Sequence, residues 1–295
     1  MDRLTSLNVF LSAARLGSFS AAARALGMSP QMARKHVGSL EQQMGGPFFN
    51  RSTRHLSLTD AGEALVFGAG QTLDAAKRMA DAVEACSTLP RGKVRVTAPV
   101  ALGVQAVTPA VPEFLRRYPE IDLELVLLDR TVDLIAEGFD VAVRIGALVD
   151  SELTAKRLAP FAVGAYASPD YLEREGHPAH PNNLREHRCL RYIFDSHPSP
   201  DLWVLRNGDE TIRVDSPKPF RTNETTSLID LAVRGTGIIM TGEVNVRTHL
   251  QTGQLVRVLP DYDGPTRPIH VLFHGKTAVP PRIRCAIDWL TETLG

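Results

Sequence analysis

The chain has 295 residues, 43% hydrophobic and 22% charged, with 33 basic against 33 acidic side chains. That length leaves room for two or three compact units, and that composition excludes wholesale disorder. Zero net charge argues against a chain that coats nucleic acid or membrane along its whole length. The average hides an asymmetry. From Arg15 to Leu58 the basic residues are Arg15, Arg24, Arg34, Lys35, Arg51 and Arg54, and Glu41 is the sole acid. The cysteines Cys86, Cys189 and Cys285 are far apart and form no C-x-x-C pair, which points to a reducing compartment without disulfides or a structural zinc. Asn8, Ser12 and Arg15 break the apolar start of the chain, so no signal peptide is expected. No run approaches the ~20 apolar residues of a membrane span. A cytoplasmic protein with no membrane partner is the expectation.

Leu4, Leu7, Phe10, Leu11 and Ala14 recur at helical spacing, marking the buried face of a first helix that Gly17 stops. Ser18 is placed to cap a second helix, Phe19 to Leu26, which Gly27 closes. Ser29-Pro30 opens a third that runs to about Met44, with Val37, Leu40 and Met44 inward. A short alanine-rich helix, a tight turn and a capped helix with a basic outer face form a helix-turn-helix pattern. Ala21, Ala22, Ala23 and Ala25 allow close helix packing. The third helix then enters a major groove about 12 Å wide. Gln31, Met32, Arg34 and Lys35 fall on its outward side, with side chains suited to adenine, thymine and guanine edges. Ser18, Ser20 and Ser29, at helix starts, suit phosphate oxygens. Phe48 to Leu58 reads as a β-wing, with Arg51 and Arg54 reaching the DNA backbone or minor groove. On this pattern alone, a small helical bundle with solvated charges stays open.

The string Gly17-Ser18-Phe19-Ser20-Ala21-Ala22-Ala23, then Leu26, Ser29, Leu40-Glu41, Gly45, Phe49, Arg51, Arg54, Leu58-Thr59 and Ala61-Gly62, resembles the LysR-type regulator signature across the whole N-terminal unit. The resemblance implies a DNA-binding transcription regulator. Two positions depart from it: Arg34-Lys35 replaces the family's Ser then Arg, and Phe48 replaces Leu. The first alters the groove contacts and the second is a core change.

From Thr59 to about Thr88 there is no proline, and Asp60 and Glu63 suit a helix start. Leu65, Ala69, Thr72, Ala76, Met79, Val83 and Cys86 alternate at steps of four and three, a weak heptad seam. The helix packs either on its own domain or on a second copy. The family resemblance implies a dimer through it, and a tetramer beyond.

After the hinge Leu89-Pro90-Arg91-Gly92, strands are expected at Lys93–Ala98, Asp122–Leu128 and Asp140–Arg144, with helices at Val104–Tyr118 and Val132–Glu137. A second unit is read from a strand at Ala162–Ala167, a helix at Thr225–Arg234 and a strand after Gly237. Ile269–Phe273 and Pro281–Leu294 then return to the first. Alternating strands and helices predict an α/β fold with parallel, doubly wound sheets. The stretches Asp133–Gly146, Ala167–Leu172 and His187–Leu190 resemble the CrgA-like branch of LysR effector domains. The likeness implies a winged helix-turn-helix (1–58), a linker helix (59–88) and a two-lobed domain like periplasmic binding proteins (91–295). Lobe I would span about 91–161 and 267–295, and lobe II about 162–266. Met240-Thr241-Gly242 departs from the Leu-Pro usual after that strand.

Ligands in such folds bind at strand carboxyl ends between lobes. That places Ala98, Pro99, Val100, Leu128, Asp129 and Arg144 at the mouth of lobe I. Tyr166, Tyr192, Phe194, Thr222 and Asn223, beside Ala165, are the lobe II candidates. Amides at Val100 and Ala101 would suit a carboxylate. Arg144 would either bind it or form a structural ion pair, and Asp129 leaves the ligand's charge open.

Enzyme readings are weak. Gly235-Thr236-Gly237 precedes a strand and lacks a third glycine, and no nucleophile-elbow or P-loop motif occurs. His177, His180, His187 and Cys189 lack regular metal spacing. The expectation is a non-enzymatic regulator of inverted-repeat promoter sites. It would carry no cofactor or metal and respond to a small effector, with double-stranded DNA, its own copies and RNA polymerase as candidate partners. A solute-binding sensor without a DNA role and a small-molecule enzyme are the alternatives.

Overall fold

The computed structural model describes residues 2–50, 56–84, 89–130, 132–134, 137–148, 153–193, 202–217, 219–275 and 279–295. The chain divides into two compact units. One comprises Met1–Pro90 with Thr131–Asp140 and His274–Ile283; the other comprises Arg91–Arg130, Val141–Phe273 and Arg284–Gly295.

In the first unit, α1 (Arg3–Leu16) begins at Asp2, whose carboxylate accepts the Thr5 N–H at 2.9 Å. Ser18 caps α2 (Phe19–Ala25), accepting from Ala21 N–H at 3.3 Å. Ser29 caps α3 (Pro30–Met44), accepting from Met32 N–H at 3.2 Å, with Pro30 in the first turn where a missing N–H costs nothing. The strands β1 (Phe49–Asn50) and β2 (Ser57–Leu58) pair antiparallel as the wing. Thr59 Oγ1 accepts from Gly62 N–H at 3.1 Å as α4 (Asp60–Glu84) starts.

Aromatic rings fill this core. The Phe10 ring lies 5.4 Å from Phe48 and 5.5 Å from Phe49, and Phe19 lies 5.2 Å from Phe49. Phe48, the departure from the family pattern, is therefore a core residue. Glu41, the lone acid of the basic stretch, turns inward and accepts from Phe48 N–H at 2.7 Å. Gly62 allows α4 to touch the wing: a Cβ there would lie 2.2 Å from the Phe48 carbonyl oxygen. Two inward assignments fail, since Leu4 and Met44 are 40% and 47% exposed. Leu4 lies in the first turn of α1, and Met44 is the last residue of α3.

The heptad seam of α4 divides. Ala69 and the half-buried Leu65 join the helix-turn-helix core with Leu73, while Met79 and Val83 are 69% and 73% exposed. Thr72 is also exposed, and Cys86 lies outside the described residues. Polar contacts fix the inner face further along. Lys77 Nζ lies 2.9 Å from Asp140 Oδ1 and donates to the Phe139 carbonyl at 3.2 Å. Buried Asp74 meets Arg78 and, at 3.5 Å, His274. On α1, Arg15 pairs with Glu137 at 3.1 Å.

The second unit holds two five-stranded sheets. Lobe I orders β4-β3-β5-β14-β6, formed by β3 (Gly92–Ala98), β4 (Ile121–Leu127), β5 (Val141–Ile145), β6 (Thr154–Phe161) and β14 (Arg267–Phe273). Between β3 and β4 run α5 (Val100–Leu102), a π-helical turn at Gly103–Val107 and α6 (Thr108–Arg117). Lobe II orders β11-β8-β12-β7-β13, formed by β7 (Val163–Ala167), β8 (Cys189–Tyr192), β11 (Arg221–Thr222), β12 (Ile238–Gly242) and β13 (Val256–Val258). Helices α7 (Pro169–Glu175), α8 (Thr225–Val233) and α9 (Glu243–Gln251) complete it, with the hairpin β9 (Trp203–Asn207) and β10 (Glu210–Val214). The last helix is α10 (Pro281–Leu294), whose Trp289 packs on Phe114 of α6 at 4.7 Å.

The expectation of purely parallel sheets is corrected. β14 runs antiparallel to β5 and β6, and β12 and β13 run antiparallel to β7. The chain passes from one sheet to the other with only Ala162 between β6 and β7, and returns between β13 and β14. A strand entering without a crossover helix has no parallel option. Of the helix expected at Val132–Glu137, the described residues are not helical: 132 and 133 are irregular and 134 and 137 lie in turns, while 135 and 136 lie outside the described residues. No helix among the described residues is long and apolar enough to cross a membrane.

Candidate nucleic-acid interface and effector site

The sequence separates the two faces of α3. Ala33, Val37 and Leu40 are buried with His36, whose Nδ1 lies 3.0 Å from Ser6 Oγ. Gln31, Met32, Arg34 and Lys35 are all exposed. The four candidate base-reading residues therefore share one solvent-facing surface over the first two turns of the helix. Arg34 is steadied by the Phe19 ring, 5.7 Å from its guanidinium carbon, a cation–π contact that leaves its N–H edge available. Ser18 and Ser29 spend their oxygen lone pairs on helix capping, yet each hydroxyl hydrogen remains free to donate. Ser20 is exposed on α2. Arg51 and Arg54 lie outside the described residues.

In the second unit α5 packs against α8 and α9, and Gly103–Val107 packs against α9, so the lobes face each other across these helices. Pro99, Val100 and Leu128 are half-buried at the end of β3 and β4, and Asp129 is exposed. Ala98 is fully buried and uses its carbonyl to accept from Leu128 N–H at 2.9 Å, so it offers a ligand nothing. The Val100 amide is occupied as well: Asp129 Oδ1 accepts from it at 3.0 Å. The helix start expected to receive a ligand carboxylate thus already holds one from the protein.

Arg144 lies half-buried near the end of β5. Its Nη1 donates to the Val143 carbonyl at 3.3 Å, while Nη2 is buried with no acceptor among the described residues. Burial, then the neighbouring Arg130, hold its pKa below the ordinary arginine value against the opposing pull of Asp129. The structural ion pair that the sequence left open is not formed among the described residues.

On the lobe II side, Tyr166 is corrected: it is 1% exposed and packs with Leu228, Ile229 and Val246 beneath α8 and α9. Burial, with Glu243 nearby, pushes its phenol up to about 12. Neighbouring Ala165 is fully buried too. Tyr192 is half-buried against the same core, Thr222 Oγ1 accepts from Glu224 N–H at 3.1 Å, and Asn223 is exposed. Phe194 lies outside the described residues.

The histidine and cysteine cluster has other roles. His187 Nδ1 lies 3.2 Å from the Tyr171 hydroxyl, and His180 caps a short 3-10 turn. Cys189 is buried, its thiol pushed up to about 11 by desolvation. Sequence reasoning missed Thr97 and His270. Their polar atoms Thr97 Oγ1 and His270 Nδ1 are buried without partners among the described residues, as is Arg144 Nη2.

Comparison with known proteins finds two family models along the chain. Residues 4–63 match the model described as bacterial regulatory helix-turn-helix protein, lysR family, and residues 87–295 match the LysR substrate binding domain. An HTH-type transcriptional repressor of Pseudomonas aeruginosa is 32% identical over 292 residues, covering 99% of this chain and 92% of that protein. An HTH-type transcriptional regulator of Xanthomonas campestris is 33% identical, covering 97% and 84%. Among solved structures, full-length AphB, a virulence activator of Vibrio cholerae, superposes with a TM-score of 0.67 at 27% identity over 98% of both chains. CrgA of Neisseria meningitidis superposes with a TM-score of 0.63 at 29% identity over 99% and 98%. With a winged helix-turn-helix ahead of a two-lobed α/β effector domain, the chain belongs to the LysR family of bacterial transcriptional regulators.

Proposed function

We propose that this regulator binds inverted-repeat promoter DNA as a homo-oligomer in the cytoplasm, and that a small effector held between lobes I and II changes the spacing of its paired DNA-binding units. The observation that carries the reading is the surface of α3, where Gln31, Met32, Arg34 and Lys35 are exposed together while Ala33, Val37 and Leu40 anchor the opposite face. A helix so supported enters a major groove with base-reading side chains first. The apolar residues Phe67, Met79 and Val83, exposed on α4, suit a second copy of the helix. The candidate effector contacts are Pro99, Val100, Leu128, Asp129, Arg144, Tyr192, Thr222 and Asn223, with Phe194 beside them. RNA polymerase is the partner proposed for transcriptional control.

The test is a gel shift of the chain's own promoter region over a salt series. Each phosphate contact steepens the fall of affinity with salt. Arg34→Ala is expected to weaken binding by about 1–3 kcal/mol and relax base preference. Arg54→Ala should weaken all sequences alike and flatten the salt slope. No shift at any salt, or two variants that bind like the parent, sinks the reading.

A further inference from the structure

The turn between α2 and α3 brings a ring of the first helix against a cation of the second. Phe19 is the first residue of α2, and Arg34 lies in the second turn of α3. Phe19 is half-buried, and its ring is anchored on the protein side. It meets the Phe49 ring of the wing edge-on at 5.2 Å, and Phe49 in turn meets Phe10 of α1 at 5.5 Å. The Arg34 guanidinium carbon lies 5.7 Å from the Phe19 centroid, within the range of a cation–π attraction. The wing and two helices therefore stand behind one side chain on the outward face of α3.

No carboxylate among the described residues pairs with Arg34. Glu41, the lone acid of the basic stretch, accepts from the Phe48 N–H instead. Arg34 is exposed, so without the ring it would sample many rotamers and lose that freedom on meeting a partner. A ring held against the guanidinium restricts those rotamers beforehand and lowers the ordering cost of the contact. The guanidinium's N–H donors remain unspent. Phe19 belongs to the string that matches the family, while Arg34 departs from it in place of serine. The chain thus adds a cation beside a ring that the family pattern already carries.

We propose that Phe19 is a positioning residue that presents the Arg34 fork to a guanine in each DNA half-site, so that this chain selects that base through residues 19 and 34 together. The inference rests on the DNA-binding reading above and names the base and the residue behind its reader. Guanine offers two major-groove acceptors, N7 and O6, to a two-pronged donor. A phosphate also accepts from arginine, but such a contact carries no base preference and gains nothing from a fixed direction. Lys35, next on the helix, is a point charge on a flexible stem and lacks the fork, so it does not substitute for Arg34.

The experiment uses the full chain and a pool of random duplexes, from which the parent selects its site. Competition binding then compares that site with its single-base variants. The parent is expected to select a G·C pair in each half-site that Arg34→Ala no longer requires. Discrimination at that pair should fall about tenfold or more, with preference elsewhere kept. Replacing that guanine by 7-deazaguanine, which lacks the N7 acceptor, should weaken the parent and leave Arg34→Ala unaffected. Phe19→Leu should reduce discrimination at the same pair about two- to fivefold, the worth of an exposed cation–π contact, with binding to random DNA unchanged. Because Phe19 also packs on Phe49, Phe19→Leu can unfold the unit. Pentafluorophenylalanine at position 19 keeps the ring's shape but reverses its quadrupole, and should give the same selective loss without lowering the melting temperature. Phe19→Tyr keeps the ring and should keep the selectivity. The inference is overturned if Arg34→Ala weakens all sequences alike, if no selected guanine depends on Arg34, or if the fluorinated ring discriminates like the parent. A pool from which no site is selected removes the DNA-binding reading and this inference with it. A selected site indifferent to residues 19 and 34 overturns this inference alone.

Discussion

Two regions of this protein hold a candidate binding arginine, and they hold it in opposite states. Arg34 on α3 stands in solvent, stacked by Phe19, on a helix whose inner face is apolar. Arg144 on β5 is half-buried, its Nη2 without an acceptor among the described residues and its charge penalised by desolvation. The difference matches two kinds of recognition. A long polyanion is met by mobile, hydrated charges at little cost to the free protein, and its affinity follows salt. A small molecule offers few contacts, so the site must lower its own reorganisation cost by keeping donors dehydrated and in place.

The largest expected effect removes the support beneath the first region. Phe10→Ala should lower stability by about 3–5 kcal/mol, since Phe10 contacts both wing phenylalanines. Urea denaturation measures it, and a loss under 1 kcal/mol would mean that this core does not hold α3. Tyr166→Phe sharpens the second region. The phenol hydroxyl is buried with no partner among the described residues, so removing it should leave stability unchanged or raise it by about 1 kcal/mol. A fall of more than about 1 kcal/mol would mean that the hydroxyl has a partner in the folded protein. Ser29→Ala should cost about 1 kcal/mol by uncapping α3, with DNA affinity falling alongside; calorimetric melting paired with gel shifts tests both. The smallest stability effect belongs to Arg34→Met, within about 0.5 kcal/mol of the parent as for an exposed surface position. A larger change would erase the contrast with Arg144.

Much of the N-terminal unit was legible in the sequence because its determinants are local. Ser18 and Ser29 start helices through bonds spanning three residues, and Gly17 and Gly27 adopt the positive φ that suits a helix end. Exposure of Gln31, Met32, Arg34 and Lys35 follows from helical period alone. Failures came where a neighbour distant in sequence decides. Met44 has the correct period but lies past the packed helices, and the seam of α4 divided because its first turns are claimed by the helix-turn-helix core. The Val100 amide looked open until Asp129, 29 residues on, filled it.

By itself the sequence determined the helix-turn-helix, its outward face and the two-lobed class, since caps, periodicity and family motifs act over short spans. Tertiary structure alone decided the strand directions, the burial of Tyr166 and the pairing of Arg144 with His270. That contact joins residues 144 and 270 through sheet register, and pairing between strands separated by more than a hundred residues leaves no periodic mark in the chain.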